Sequence, residues 1–304
     1  KLTYATNANL TGLKTDGQQI VSATVTNYAG RSATVRAKQF ILAMGGIENS
    51  RMLLWCNQQT NGTLVNLRAP LGRYWMEHPE FTVGHALVDF KIPKSDSSTP
   101  HLLLNFTDAV KRKLAMLNCR FDLKEIPSEG TKGLLKDLAC VAPKVGEWAA
   151  SLAGKNIVCG ARLIAGWEQE PIWNNHVKLS ETKRDQFGIP LTELHWKKTD
   201  RDRATLQKSL AHFNEYLMAG NHGRLKLEEW VFGNTGYPVR DDGAGYHHMG
   251  GTRMAQTVQH GVVDSDCRVF GQGNLYIAGS SVFPSGGMSN PTLTIVQLAL
   301  RLAE

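Results

Sequence analysis

The sequence predicts an α/β fold, in which strands that end at glycine-rich turns lead into helices, with an antiparallel sheet in the middle of the chain. Two strand–turn–helix units carry this prediction. In the first, the apolar strand Gln39–Met44 is followed by two glycines and a helix over Ile47–Cys56. In the second, the strand Asn274–Val282 leads through a glycine-rich loop to a helix that begins near Pro291. Because ligands gather at the carboxyl ends of such strands, both turns are candidates for a binding site.

The N-terminal residues 1–38 alternate between apolar and polar side chains, which predicts β-strands joined by short turns. Val21–Asn27 and Ser32–Arg36 are expected to pair, with turns at Asp16-Gly17 and around Gly30. The continuous apolar run that follows is typical of a strand that is buried on both faces.

The middle of the chain carries both strand and helix patterns. Alternation predicts strands over Phe81–Phe90, Ala161–Glu168 and Leu191–Trp196, whereas helical spacing appears over Ala109–Leu117 and Lys132–Leu152. An antiparallel sheet with helices against it is therefore expected here.

A long helix is predicted after Asp200, which is the expected N-cap. Its apolar residues recur with helical spacing and form one stripe, which predicts a helix packed on a core rather than a cofactor site: Leu206, Leu210, Phe213 and Leu217. Gly220 is expected to end this helix.

The C-terminal helix is apolar on nearly every side, and we expect it to be buried. Proline in the first turn, directly after Asn290, is a signature of a helix start. The unpaired N–H groups and the positive dipole end of such a helix would face an electron-rich ligand group.

Composition limits the classes of function. The 304 residues carry a net charge of +7, and their Lys and Arg are scattered, so a nucleic-acid footprint is not indicated. The balance of charged and apolar residues is typical of a soluble globular protein, and no apolar run reaches membrane-spanning length. The compartment, periplasm or cytoplasm, stays open. The five cysteines show no C-x-x-C spacing and are expected to be free buried thiols: 56, 119, 140, 159 and 267.

Three segments in the right order resemble the glucose–methanol–choline (GMC) family of flavin oxidoreductases. They are Leu71–Pro79, His247–Met254 and Asn290–Thr294. The Arg-Met pair that ends the second segment sets the register, and the His–Asn pairing is most similar to the sugar-oxidising branch with pyranose oxidases and bacterial glycoside dehydrogenases. Tyr74 stands where the family usually has Asn.

The resemblance implies an FAD cofactor and a set of site residues. His247 corresponds to the catalytic histidine and would take the hydroxyl proton, while Asn290 would stabilise the alkoxide during hydride transfer to flavin N5. The residues implied to contact the cofactor are Ala43, Gly45, Gly46, Gly279, Ser280, Pro291 and Thr292. Glu168, Gln169 and His248 are candidates for binding the substrate. A metal site is not expected, because the two adjacent histidines lack a third ligand at useful spacing.

The resemblance also implies a division into domains. Residues 1–80 and 240–304 would form the second half of a doubly wound, GMC-type FAD-binding domain. Residues 81–239 would form an antiparallel-sheet substrate domain, with a candidate lid or partner-docking insertion at 91–155. The pyrophosphate-binding G-x-G-x-x-G is absent, since Gly243-Ala244-Gly245 lacks the third glycine, so this half is expected to precede residue 1.

The predicted function is oxidation of a secondary alcohol of a sugar or glycoside to a keto-sugar. A dehydrogenase that passes electrons to a quinone, a cytochrome or a partner subunit is favoured over an oxidase, and homo- or hetero-oligomers are both open. The alternatives are a GMC enzyme acting on a non-sugar alcohol and a non-catalytic structural subunit. Hydrolysis is disfavoured, because Ser280-Ser281 lacks the G-x-S-x-G of a nucleophile elbow.

Overall fold

The computed structural model describes residues 3–88, 90, 92–93, 101–126, 160–233, 235–239 and 246–304. The chain forms two compact units. Unit 1 comprises Lys1–Glu77, Glu170–Lys197 and Tyr246–Glu304, and unit 2 comprises His78–Gln169 and Lys198–Gly245. The segment Glu170–Lys197 therefore lies with the two ends of the chain, whereas the sequence analysis had assigned it to the central domain. The assignment of a cofactor role and a substrate role to the parts of the chain stays a prediction.

Unit 1 contains three small sheets and two helices. Its strands are β1 (Asn9–Thr15), β2 (Ile20–Thr26), β3 (Ser32–Val35), β4 (Phe40–Leu42), β9 (His176–Arg184), β10 (Pro190–His195) and β12 (Leu275–Ile277). Its helices are α1 (Gly45–Gln59) and α5 (Thr292–Ala303), and a 3₁₀ turn spans Ser280–Val282. β1, β2 and β3 form an antiparallel meander, which confirms the predicted pairing and turns.

The strand β4 pairs in parallel with β12, so the two strand–turn–helix segments lie side by side. The N–H of Ala278 continues the pairing beyond β12, because it donates to the Leu42 carbonyl at 2.8 Å. The expectation that β4 is buried on both faces is wrong for the described residues: Phe40 and Leu42 are buried, but the Ile41 side chain between them is 51% exposed. The alternation of strand side chains puts Ile41 on the face away from the unit 1 core.

The helix α5 also differs from its prediction, because none of its residues is buried. Ile295 and Leu298 pack partly against the core of unit 1. Leu293, Val296 and Leu300 are 70%, 48% and 63% exposed. The helix therefore has one packed side and one exposed apolar side, although its sequence is apolar nearly all round.

In its described residues, unit 2 is built on a five-stranded antiparallel sheet with the strand order β11-β5-β8-β7-β6. Its strands are β5 (Glu80–Val88), β6 (His101–Asn105), β7 (Cys119–Glu125), β8 (Ala161–Trp167) and β11 (Gly223–Leu227). Its helices are α2 (Asp108–Leu114), α3 (Asp200–Ala219) and α4 (Glu229–Phe232). The predicted mixture of helices with an antiparallel sheet is thereby confirmed.

The helix α3 buries its predicted stripe in the core of unit 2, and all four residues named in the sequence analysis are buried. Its N-cap differs from the prediction by one residue. Thr199 is the cap, and its side chain accepts a hydrogen bond from the Asp202 N–H while the Asp202 carboxylate accepts one from the Thr199 N–H. This reciprocal capping box places Asp200 in the first turn instead.

Of the predicted free thiols, Cys56, Cys119 and Cys267 are confirmed as unpaired and buried. Burial raises the pKa of Cys56 and of Cys119 to about 12, so both remain protonated at neutral pH.

Several predicted features lie outside the described residues: Cys140, Cys159, the predicted helix over 132–152, most of the candidate lid and Gly243–Gly245. Within the described ranges, the helices are too short or too polar to cross a lipid bilayer.

Candidate active site

The carboxyl ends of β4 and β12 form a glycine-lined edge in unit 1. Gly45 follows β4 with a φ of +87°, and Gly279 follows β12 with a φ of +126°. The two turns lie close together, because a Cβ atom on Gly279 would be 4.0 Å from the Gly45 Cα. Both φ values lie where side chains are disfavoured, so glycine is required for these sharp turns. The structure thus brings together the cofactor candidates Gly45 and Gly279, and Ala43 lies two residues before Gly45.

The loop with the two histidines contacts this edge through its main chain. The Ser280 hydroxyl donates to the His248 carbonyl oxygen at 2.6 Å, and the Gly250 N–H donates to the Ser280 carbonyl oxygen at 3.2 Å. A side chain on Gly46 would overlap the same His248 carbonyl group. Gly46, Ser280 and His248 therefore converge, and the loop lies directly against the first turn of α1.

A buried amide connects the two strand–turn–helix segments. Asn49 in α1 accepts a hydrogen bond from the Met44 N–H at 2.9 Å and donates to the Ala278 carbonyl oxygen at 3.1 Å and the Ser281 hydroxyl at 3.0 Å. Ser281 also bonds the Thr252 hydroxyl at 2.7 Å, which extends the connection to the histidine loop. The sequence analysis missed Asn49, whose helical position gave no sign of these long-range partners.

Glu77 is a second residue that the sequence analysis missed. It is only 2% exposed, and its Oε1 accepts the main-chain N–H of His247 at 2.7 Å. Its Oε2 lies 3.4 Å from Nε2 of His248. The available signal was a single acidic residue in the Trp-Met-Glu-His-Pro run of the Leu71–Pro79 segment.

Tyr74, which departs from the family pattern, has a φ of +59°. Asn adopts this left-handed conformation more readily than a bulky residue does. The Arg253 guanidinium lies over the Tyr74 ring at 4.3 Å from its centroid, in cation–π geometry. Tyr74 is therefore less suited than Asn to this backbone conformation, but its ring gains a contact with Arg253 of the Arg-Met pair in the histidine loop.

The predicted residues at the start of the last helix belong to unit 1 as well. Asn290 and Thr292 are exposed, Pro291 is buried, and the Pro291 carbonyl oxygen accepts the N–H of Ile295 at 3.0 Å. α5 thus begins close to Pro291, as the sequence predicted, but the proline is the N-cap and not a residue of the first turn. The pairing of Asn290 with His247 stays a prediction.

The substrate candidates Glu168 and Gln169 are buried residues of unit 2 that follow β8. The Asn118 side chain donates to Glu168 Oε2 at 2.6 Å, and the Asn118 main-chain N–H lies 3.4 Å from the same atom. Glu168 therefore has a structural partner, and its role toward a substrate stays a prediction. Among the residues that the structure describes, no three His, Cys, Asp or Glu side chains form a cluster suited to a metal ion.

Comparison with known proteins gives a consistent family. The GMC oxidoreductase model matches residues 171–299. The chain is 32% identical over 155 residues to the C-glycoside 3-oxidase of Microbacterium trichothecenolyticum. The aligned residues make up 51% of this chain and 27% of that protein. It is 24% identical over 303 residues to the fructose dehydrogenase large subunit of Gluconobacter japonicus, and this alignment spans 98% of this chain and 52% of that protein. The chain thus spans about half the length of this curated relative, and a smaller share of the first.

A solved structure shares the fold along nearly the whole chain. The pyridoxine 4-oxidase from Mesorbium loti superimposes with a TM-score of 0.59 and 16% sequence identity, over 97% of this chain and 56% of that one. At this identity the likeness shows the fold alone. Residues 171–299 therefore match the GMC oxidoreductase family, which the motifs of the sequence resemble, and the solved structure adds only the fold.

Proposed function

We propose that this chain is the C-terminal part of an FAD-dependent oxidoreductase that oxidises a secondary alcohol of a sugar or glycoside to a keto-sugar. The family match and the names of the relatives support an oxidoreductase and favour a sugar-like substrate. The observation that carries the proposal is the position of the histidine loop, whose His248 main chain lies against Gly46 and Ser280 at the glycine-lined edge.

This edge fits an aromatic cofactor ring in two respects. A Cβ atom built on Gly45 meets no atom within 4 Å in the described part of the chain, so the turn has an open side. The N-cap residue Met44 makes no side-chain capping bond, which leaves N–H groups of α1 for an electron-rich ligand atom. Ala43, Gly45, Gly46, Gly279 and Ser280 would contact FAD here. FAD would supply the two-electron acceptor, at its N5 atom.

His247 would accept the hydroxyl proton of the substrate on an imidazole nitrogen. A neutral imidazole is suited to this transfer near neutral pH. The main-chain hydrogen bond from His247 to Glu77 supports the role, because it fixes the loop before substrate binds.

Asn290 would donate its side-chain N–H to the developing alkoxide oxygen. Its amide is uncharged and precedes the first turn of α5, where Pro291 and Thr292 would contact the cofactor. A positioned donor of this kind lowers the barrier because it needs no reorganisation as charge develops. The roles of Glu168, Gln169 and His248 as candidates for binding the sugar stay predictions from the sequence.

The proposal assigns pyrophosphate binding to sequence outside these residues, since the G-x-G-x-x-G fingerprint is absent and the chain spans about half of its long relative. Activity would require that part. The electrons would then pass to a quinone, a cytochrome or a partner subunit rather than to oxygen.

The proposal is tested with the full-length protein, purified and examined for an FAD absorption spectrum. The protein is mixed anaerobically with a panel of sugars, glycosides and simple alcohols, and the products are identified by mass spectrometry and NMR. We expect bleaching of the flavin by at least one sugar and a keto-sugar product. Absence of FAD would overturn the proposal in favour of a structural subunit, and reduction by simple alcohols alone would overturn the substrate class.

A further inference from the structure

We infer that Glu77 is a positioning residue, which fixes the direction of the His247 imidazole by holding the main chain of the histidine loop from the side of the Leu71–Pro79 segment. This inference rests on the proposed function only for its effect on catalysis. The structural part, that the Glu77 carboxylate holds the loop, stands on the contacts of unit 1.

The contacts come from both carboxylate oxygens. Oε1 accepts the His247 N–H at 2.7 Å, a short distance typical of a hydrogen bond to a charged acceptor. Oε2 lies 3.4 Å from the His248 ring nitrogen, within ion-pair range. A single side chain therefore contacts two consecutive residues of the loop.

Burial makes this arrangement specific. The Glu77 side chain is 3% exposed, and a buried carboxylate is costly unless hydrogen-bond donors surround it. A rotation at His247 would turn its N–H away from Oε1 and remove one of these donors. The carboxylate consequently favours the conformation that is seen here.

The main chain brings the two segments into register. Met76 and Met249 form an antiparallel bridge with two hydrogen bonds, at 2.8 and 3.0 Å. The next residues, Glu77 and His248, thereby lie across from each other, where side chains of paired strands meet. The centroid of the Trp75 ring lies 5.5 Å from that of the His248 ring, so this imidazole contacts both an aromatic ring and the Glu77 carboxylate.

The difference between charge and hydrogen bonding can be tested with two substitutions in the full-length FAD protein. Glu77→Gln keeps an oxygen that can accept the His247 N–H but removes the charge, whereas Glu77→Ala removes both. Glu80→Gln is the matched control, since Glu80 is three residues further along and its carboxylate bonds Arg120 in unit 2.

The first readout is amide hydrogen exchange resolved at His247, which does not depend on turnover. We expect exchange to accelerate at least about tenfold in Glu77→Ala and to stay within about threefold of wild type in Glu77→Gln and Glu80→Gln. Unchanged exchange in Glu77→Ala would overturn the inference. If Glu77→Ala does not fold, Glu77→Leu takes its place, because it removes the acceptor while filling the space: exchange at His247 at least about tenfold faster than in Glu80→Gln supports the inference, and wild-type exchange overturns it.

The second readout is the rate constant of flavin reduction, measured beside the apparent affinity for the sugar. We expect a fall of up to about 100-fold in Glu77→Ala and a smaller fall in Glu77→Gln, with FAD content and sugar affinity nearly unchanged. A loss of affinity without a loss of rate would contradict a positioning role. If no alcohol reduces the wild-type flavin, the proposed function fails, and the exchange result still decides whether Glu77 holds the loop.

Discussion

The two units differ in the kinds of side chain that they bury and in the contacts of those side chains. Unit 2 packs one face of α3 on a five-stranded sheet through a cluster of apolar and aromatic side chains, although polar residues such as Glu168 and Asp202 are buried there too. Unit 1 has short strands and long loops, and it buries Asn49, Glu77 and Ser281 among its apolar residues. Loops carry main-chain polar groups that no regular ladder satisfies, so buried side chains must bond them. The comparison shows that the polar interior of unit 1 coincides with the candidate site.

The largest effect on stability is expected in the apolar core of unit 2. Leu210→Ala removes a fully buried side chain between α3 and the sheet, and the cavity should lower the free energy of unfolding by about 2–5 kcal/mol. Urea unfolding measures this. Met218→Ala in the same helix is the control, because Met218 is exposed and should change stability by under about 0.5 kcal/mol. Equal losses in the two variants would contradict the assigned core.

A smaller loss is expected when the polar interior of unit 1 is broken. Asn49→Ala leaves the Met44 N–H and the Ala278 carbonyl group without this partner, at a cost of about 1–3 kcal/mol. The exposed Asn66, which bonds the Arg68 N–H at 2.9 Å, provides a matched Asn→Ala control with little expected effect. A neutral Asn49→Ala would show that the turns of unit 1 are held by other contacts.

The smallest of the three effects depends on pH. Burial alone would raise the pKa of Asp185, but hydrogen bonds from Arg51 and from the N–H groups of Ile189 and Phe187 outweigh burial and lower this pKa below 3.8. A carboxylate with a lowered folded-state pKa stabilises the fold above pH 3.8, and this contribution is lost as the pH falls through the folded-state pKa.

Asp185→Asn should therefore cost about 1 kcal/mol at pH 7 and less at pH 3. Unfolding curves for wild type and variant at both pH values provide the comparison. A cost that is the same at the two pH values would mean that the charge of Asp185 adds nothing to unit 1.

Local sequence patterns predicted the parts of the fold that depend on neighbours along the chain. The α3 stripe around Leu210, the β1–β3 meander and the helix start after Pro291 were all predicted, because periodicity and turn residues determine them. The glycine turn after β4 was predicted as well, since few other residues tolerate such a φ value. The turn at Gly279 was not, because the predicted strand Asn274–Val282 extended beyond the observed β12.

The sequence could not predict features that depend on contacts between distant segments. Glu77 meets His247 across 170 positions, and Asn49 meets Ser281 across 232. The exposed side of α5 was wrongly predicted as buried, because an apolar sequence does not specify which of its sides finds a partner. The observed N-cap of α3 is Thr199 and not the predicted Asp200, because Thr199 and Asp202 form a capping box that competes with a cap by Asp200.

The central claim concerns His247 and Asn290, and the rate constant of flavin reduction by sugar in the full-length protein tests it most directly. We predict that His247→Ala and Asn290→Ala each lower this rate constant by about 10²–10³-fold while FAD stays bound. His260→Ala, at an exposed histidine of unit 1, should reduce at the wild-type rate. Wild-type reduction rates in both His247→Ala and Asn290→Ala would contradict the account.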